Sequence, residues 1–230
     1  LVEMRLGLST LTTPTSIESF RAQFTEPAMA ELALPSIEIF ENFAEVVGIP
    51  DIDIGIHHQG YLFVTDDPAM IPDVEAAVKT HYRLGITDSE YLTGDEVRQR
   101  FPYISENAVA ATFRQKDGWL SSHEATQGFA RGSRGRFLVS TKALGITRDS
   151  QGVSGVETDR GTIATRLVVN AAGPFAGLVG NLLGLEIPLF AYWAELQTDA
   201  TQFLKPEKIF RVLQNAGTNI FWVVIVVATS

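Results

Sequence analysis

Glu3 follows two apolar residues, Leu1 and Val2. A carboxylate at the end of a short apolar run is what a dinucleotide-binding sheet places at the end of its second strand, where it accepts hydrogen bonds from ribose hydroxyls. The same residue also reads as an ordinary strand-end carboxylate. A second stretch, TIATRLVVNAAGPF over 162–175, runs from apolar into small side chains. Leu167, Val168 and Val169 need burial on both faces, as central parallel strands do. Ala171, Ala172 and Gly173 then leave the backbone bare, so a large ligand such as a nucleotide can approach the strand's carboxyl end. Close packing of the next helix on the strand would call for the same small residues.

Other chemistries find little support. There is no cysteine, which removes thiolate nucleophiles, disulfides and cysteine zinc sites. Among the histidines, His57 and His58 alternate on a strand-like run, so at most one of them faces inward. His81 reads as a solvated helix residue, and His123 opens a helix. No pair has zinc-like spacing with an acidic third ligand, so no metal is expected. There is no Gly-x-Ser-x-Gly elbow and no histidine placed to activate a serine.

The bulk numbers set the frame. A chain of 230 residues with 45% apolar and 20% charged side chains is globular, with material for a real core. The net charge of −9 and the lack of a basic run argue against a nucleic-acid groove. The start is acidic and has no signal-type apolar region, and a cysteine-free chain fits the cytoplasm. The longest apolar run, IFWVVIVVA, ends at Ala228. It is far short of the roughly 20 residues a spanning helix needs, and its β-branched residues predict a buried strand.

The elements that must hold the candidate residues follow from periodicity. Residues 5–25 are rich in Ser, Thr and Gly and predict a long ordered loop, a feature that is usually functional. Apolar spacing predicts a helix over 27–47, broken or kinked near Pro35 and stopped by Gly48. Residues 52–65 alternate like a strand, with Gly60 at a turn or a close backbone approach. Asp66-Asp67-Pro68 opens a helix to about Tyr82. A cap at Thr93 starts a short helix that stops before Pro102. A strand over 109–113 and a helix capped at Ser122 come next. Three strands over 137–146, 153–158 and 162–169 are joined by turns at 149–152 and 159–161. A helix over 175–183 and strands over 187–198 and 209–214 complete the chain. Strands separated by helices, mixed with hairpins, predict an α/β core with an antiparallel insert.

Read in order, these stretches carry a resemblance. Strand-end Glu3 leads to a loop ending ESFRAQF over 18–24, then HQGYLF over 58–63. LTGDE over 92–96 runs to Phe101-Pro102. Then come DGWL over 117–120 and GVETDRG over 155–161, the last leading into VVNAAG over 168–173. The sequence resembles the D-amino-acid oxidase family of FAD-dependent oxidoreductases over roughly Leu1 to Thr198. Within that family it is similar to the sarcosine oxidase β-subunit and related amine-oxidising enzymes.

The resemblance implies an α/β chain in which a partial Rossmann-like FAD-binding domain (1–48 and 105–186) interleaves with a mixed or antiparallel-sheet substrate domain (49–104 and 187–230). It implies FAD as cofactor and oxidation of a C–N bond in a small amine or amino acid. By position it assigns Glu3 to the adenosine ribose. Arg5, Ser9 and Thr10 line the adenosine and pyrophosphate, the backbone of Ala143 meets the adenine side, and Ala172 and Gly173 flank the phosphates. Arg21 matches a basic residue near the flavin ring, where a fixed cation stabilises negative charge on the reduced flavin. Relatives often carry paired glycines where this chain has Glu18-Ser19, which would narrow the space there. Trp193 and Glu195 read as substrate-facing or as ordinary strand residues.

The phosphate-cradling first turn and the C-terminal part of the family pattern find no match here, so the chain reads as truncated at both ends. Loss of that turn removes a helix N-terminus for the pyrophosphate and leaves strand edges unpaired. The cost can exceed a domain's net stability of about 5–15 kcal/mol, so FAD binding that is weak or absent is expected. Two other outcomes stay open. One is a dehydrogenase passing electrons to a quinone or an electron-transfer flavoprotein. The other is an inactive module that at most binds a partner subunit.

Overall fold

The computed structural model describes residues 1–11, 13–15, 18–187, 212–214 and 223–226. Residues 188–198 and 209–211 of the strands predicted over 187–198 and 209–214 lie outside these residues, as do Trp193 and Glu195.

A five-stranded antiparallel sheet is the centre of the molecule. Its order is β3-β4-β2-β10-β9, from Glu90–Thr93 (β3), Ala110–Arg114 (β4), Tyr61–Thr65 (β2), Val223–Val226 (β10) and Val212–Gln214 (β9). β2 is flanked by β4, with Tyr61 opposite Arg114, and by β10, with Tyr61 opposite Val226. Within the apolar run, Val223–Val226 is thus a strand, as its β-branched residues predict. Side chains alternate across the pleat. Leu62 and Val64 on β2 face one side and join Val97, Phe101, Ile104 and Phe113 in the main core. Tyr61 and Phe63 face the other way.

Two helices brace this sheet. α3 (Ile71–Arg83) and α4 (Gly94–Arg100) both pack on β3 and β4. α4 begins with a capping box in which Thr93 accepts from the Glu96 N–H and the Glu96 carboxylate accepts from the Thr93 N–H at 2.7 Å. α3 is preceded by a 3₁₀ turn at Pro68–Met70, capped by Asp67. His81 is a correction: it is 2% exposed and its Nδ1 lies 2.8 Å from the Ser89 hydroxyl. It sits seven residues after the buried Val74, hence on the same helix face.

The predicted first helix is two helices, α1 (Pro27–Glu41) and α2 (Phe43–Val47). α1 continues through Pro35, and the break falls at Asn42. Gly48, at φ +68°, ends α2 in the left-handed conformation. α2 packs on α5 (Ser122–Gly132), whose cap is Ser121.

A separate meander holds β6 (Ala143–Asp149), β7 (Gly152–Thr158) and β8 (Gly161–Ala164), with the expected turns at Gly152 and Gly161. Here the structure corrects a second reading. β8 stops at Ala164, and residues 167–169 form no strand; Leu167 and Val169 are 75% and 77% exposed. No described strand pairs with this segment, and Val168 between them is half-buried. A six-residue helix, α6 (Ala176–Asn181), follows it. No helix among the described residues is long and apolar enough to cross a membrane.

Candidate functional site

Three short extended pieces meet at residue 119. β1 (Ser19–Phe20) pairs antiparallel with β5 (Gly118–Trp119), and His57 bridges Trp119 from the other side. The His57 and Trp119 rings stack at 4.3 Å. Gly118 is required by the close approach: a Cβ there would lie 1.8 Å from the His57 carbonyl oxygen.

This arrangement delivers Arg21, which follows β1 directly, to the Tyr61–Phe63 face of β2. Its guanidinium carbon lies 4.6 Å from the Phe24 ring centre, 5.7 Å from Tyr61 and 5.0 Å from Phe63. Such a cation over ring faces is attracted by their quadrupoles. Arg21 Nε is buried and unpartnered, and no carboxylate lies within 4 Å of the side chain among the described residues. Burial raises the Tyr61 phenol above its usual range, while Arg21 and the Ser19 hydroxyl beside it pull the other way.

Sequence reading missed what holds this turn. Asp117 is fully buried and accepts from the Ala22 N–H at 2.9 Å, from Gln23 Nε2 at 3.1 Å and from Arg114 Nη1 at 2.6 Å. Arg114 also donates to Asp88 at 2.6 Å. Burial pushes the Asp117 carboxyl up, and the adjacent guanidinium and N–H donors oppose that rise. The sequence did offer signals: an Asp-Gly step before Trp119, and aromatic residues at i, i+2 beside Leu62 and Val64.

The predicted adenosine-side residues form a second group. Val2 bridges Leu138 in parallel, the Glu3 N–H donates to the Leu138 carbonyl, and the Thr141 N–H donates to the Glu3 carbonyl. Glu3 Oε1 accepts from the Arg5 N–H at 2.8 Å. The Ser140 N–H donates to the Arg5 carbonyl, which brings Glu3 and Arg5 to the segment that enters β6 at Ala143. Thr10 Oγ1 donates to the Gly7 carbonyl. Ser9 has φ +56°, and its hydroxyl is buried without a partner. Ala172 and Gly173 stand apart, at the start of a 3₁₀ turn at Gly173–Phe175. No hydrogen bond joins them to Glu3 among the described residues. Gly173 has φ +53° and open space where a Cβ would be.

The Glu18-Ser19 departure now has a structural reading. Glu18 takes φ +59°, a conformation that glycine adopts freely. Its Oε1 accepts from the Ser122 N–H at 3.1 Å and from the Ser122 hydroxyl at 2.6 Å, at the start of α5. The carboxylate thus points to a helix end, where a negative charge is favoured.

Comparison with known proteins identifies the scaffold. The family profile described as "FAD dependent oxidoreductase" matches residues 5–215. The chain belongs to this family. It is 27% identical to human mitochondrial dimethylglycine dehydrogenase over 158 residues, covering 67% of this chain and 18% of that protein. It is 31% identical to sarcosine oxidase subunit beta of Rhizobium meliloti (strain 1021) over 132 residues, covering 54% of this chain and 31% of that one. Glycine oxidase from Bacillus cereus ATCC 14579 superposes with a TM-score of 0.66 at 26% identity, covering 78% of this chain and 50% of the other. The chain therefore spans half or less of each of these family members. The mixed α/β architecture with antiparallel sheets is the fold of the family's solved structures. The residues present fit an FAD in two respects: the Ser9 hydroxyl and the Arg21 Nε are buried polar atoms without a partner among the described residues.

Proposed function

We propose that this chain is the part of an FAD-dependent oxidoreductase that oxidises a C–N bond of a small amine or amino acid. Two things support the reading: Arg21 held among the rings of Phe24, Tyr61 and Phe63, and relatives whose names specify dimethylglycine, sarcosine and glycine. The Arg21 geometry carries it. A half-buried cation fixed on an aromatic face, with no carboxylate within 4 Å among the described residues, is preorganised to stabilise negative charge as it develops.

When bound, FAD supplies the two-electron acceptor. Arg21 holds positive charge next to that acceptor. Glu3 would hold the adenosine ribose, Arg5, Ser9 and Thr10 the adenosine and pyrophosphate, the Ala143 backbone the adenine side, and Ala172 and Gly173 the phosphates. In this reading residues 1–48 and 105–186 serve the cofactor, and 49–104 with 187–230 serve the substrate. The chemistry FAD would supply is to take up, as hydride, the hydrogen and electron pair of the C–H bond beside the substrate nitrogen, the nitrogen losing a proton to give the imine. The resulting imine takes up water to give a carbonyl compound and a free amine.

The test is to titrate FAD fluorescence with the chain and its variants. Saturable quenching is expected, with Glu3→Ala weakening it about tenfold, the worth of roughly one charge-assisted hydrogen bond. Quenching that Glu3→Ala leaves unchanged would refute the placement of the ribose. No quenching at all would refute cofactor binding by this chain. Whether electrons pass to oxygen or to another carrier is read from peroxide formation with sarcosine or dimethylglycine in the flavin-loaded protein.

A further inference from the structure

We infer that Asp117 is the positioning residue for Arg21, and that its buried carboxylate sets both walls of the cation's aromatic cage. The inference rests on the reading above that Arg21 faces the reaction site. The carboxylate reaches the cation's own turn through the Ala22 N–H and the Gln23 amide, the two residues that follow Arg21. The backbone of Asp117 reaches the opposite wall, since its carbonyl accepts from the Gly60 N–H at 2.9 Å. Gln23 joins the two, because its Nε2 donates to the Tyr61 carbonyl at 2.9 Å as well as to Asp117. One fully buried group thus fixes the turn that carries the guanidinium and the strand that carries two of its rings.

The chemistry of the network explains why a carboxylate is needed. The Asp117 carboxylate accepts three hydrogen bonds and donates none. An Asn there has one acceptor oxygen, and its NH₂ would meet either Gln23 Nε2 or Arg114 Nη1, both donors. Turning the Gln23 amide over would place its oxygen against the Tyr61 carbonyl. Arg114 neutralises the buried charge, and Asp88 holds Arg114. A buried carboxylate with this set of partners acts as a fixed hub, because losing any one donor leaves a costly unpaired group.

The Tyr61 phenol reports on the cage, and the sign of its response separates the two roles Asp117 can play. Arg21 and Ser19 favour the ionised phenol, while the Asp117 charge disfavours it. If Asp117 acts only as a nearby charge, Asp117→Asn lowers the Tyr61 titration midpoint. If it positions Arg21, the same substitution lets the cation drift, and the midpoint moves up, as it must in Arg21→Met. The experiment is NMR titration of the full chain carrying isotope-labelled tyrosine, with the resonance assigned by Tyr61→Phe. No FAD is added, so the result does not depend on cofactor binding and is distinguishable from a failure of the functional reading. A rise in Asp117→Asn supports the inference, and a fall or no change in a folded variant overturns it. Gln23→Met is the second variant, because it cuts the bridge without altering charge. It is expected to raise the midpoint too, and an unmoved midpoint there overturns the inference even if Asp117→Asn does not fold.

Discussion

Glu18 shows how a single residue can settle a conflict between conformation and chemistry. Its left-handed backbone costs a non-glycine residue about 1–2 kcal/mol. Its carboxylate offsets this with two hydrogen bonds to Ser122. Glu18→Ala keeps the strain and loses the bonds, so it should lower stability by about 2 kcal/mol. Glu18→Gly loses the bonds but relieves the strain, so it should cost about 1 kcal/mol less. Denaturant midpoints of the three proteins test the order; a Gly variant no more stable than the Ala variant would show that the strain is absent. His81 makes the second prediction. Burial lowers its pKa from 6.5 to about 4. The unfolded chain therefore binds the proton first, and native stability is complete above 6.5. It falls as pH drops from 6.5 towards 4, by about 3 kcal/mol in all. Stability measured across that range should lose this slope in His81→Leu. The position was legible from its seven-residue spacing to Val74. A polar residue type was allowed to outweigh that spacing, and Ser89, the partner that makes burial tolerable, comes from another element.

Whole elements were easier to read where their signals are local. The capping box at Thr93, the stop at Gly48 and the turns at Gly152 and Gly161 depend on neighbours within four residues, and all are present. Residues 167–169 failed because an apolar run states a need for burial without saying what meets it. Asp117 was invisible as a hub for the same reason. Two of its side-chain donors, the Ala22 N–H and Gln23, lie more than ninety positions away. The Asp-Gly step still had a physical meaning, since Gly118 lets β5 fit between β1 and His57. Gly118→Ala places a methyl inside the His57 carbonyl, on backbone that cannot rotate away. The strand must shift, and a loss of more than about 3 kcal/mol is expected, with the Arg21 turn loosened alongside. Gly152→Ala is the control: it meets nothing within 4 Å and bears only the strain of φ +116°. Equal thermal unfolding of the two variants would show that β5 is not held this closely.

The molecule as a whole distributes its apolar surface unevenly. Its buried clusters lie around the five-stranded sheet and under α1, α2 and α5. From the end of β8 to residue 187, by contrast, Leu167, Val169, Phe175, Leu178 and Leu185 are all exposed. Single exposed apolar residues are ordinary, but five within twenty positions of sequence concentrate the kind of surface that drives association. The net charge of −9 opposes this at long range but is screened beyond roughly 10 Å in salt. The chain should therefore self-associate more strongly as salt rises, read by sedimentation at increasing ionic strength. Substituting Leu167→Glu and Val169→Glu together should suppress that association with a stability change within about 0.5 kcal/mol, as for other exposed positions. The same pair also discriminates between the two readings of this segment. If 167–169 were a central strand covered on both faces, two buried carboxylates would unfold the domain around it. A soluble, folded, less associated double variant is the outcome the exposed geometry requires.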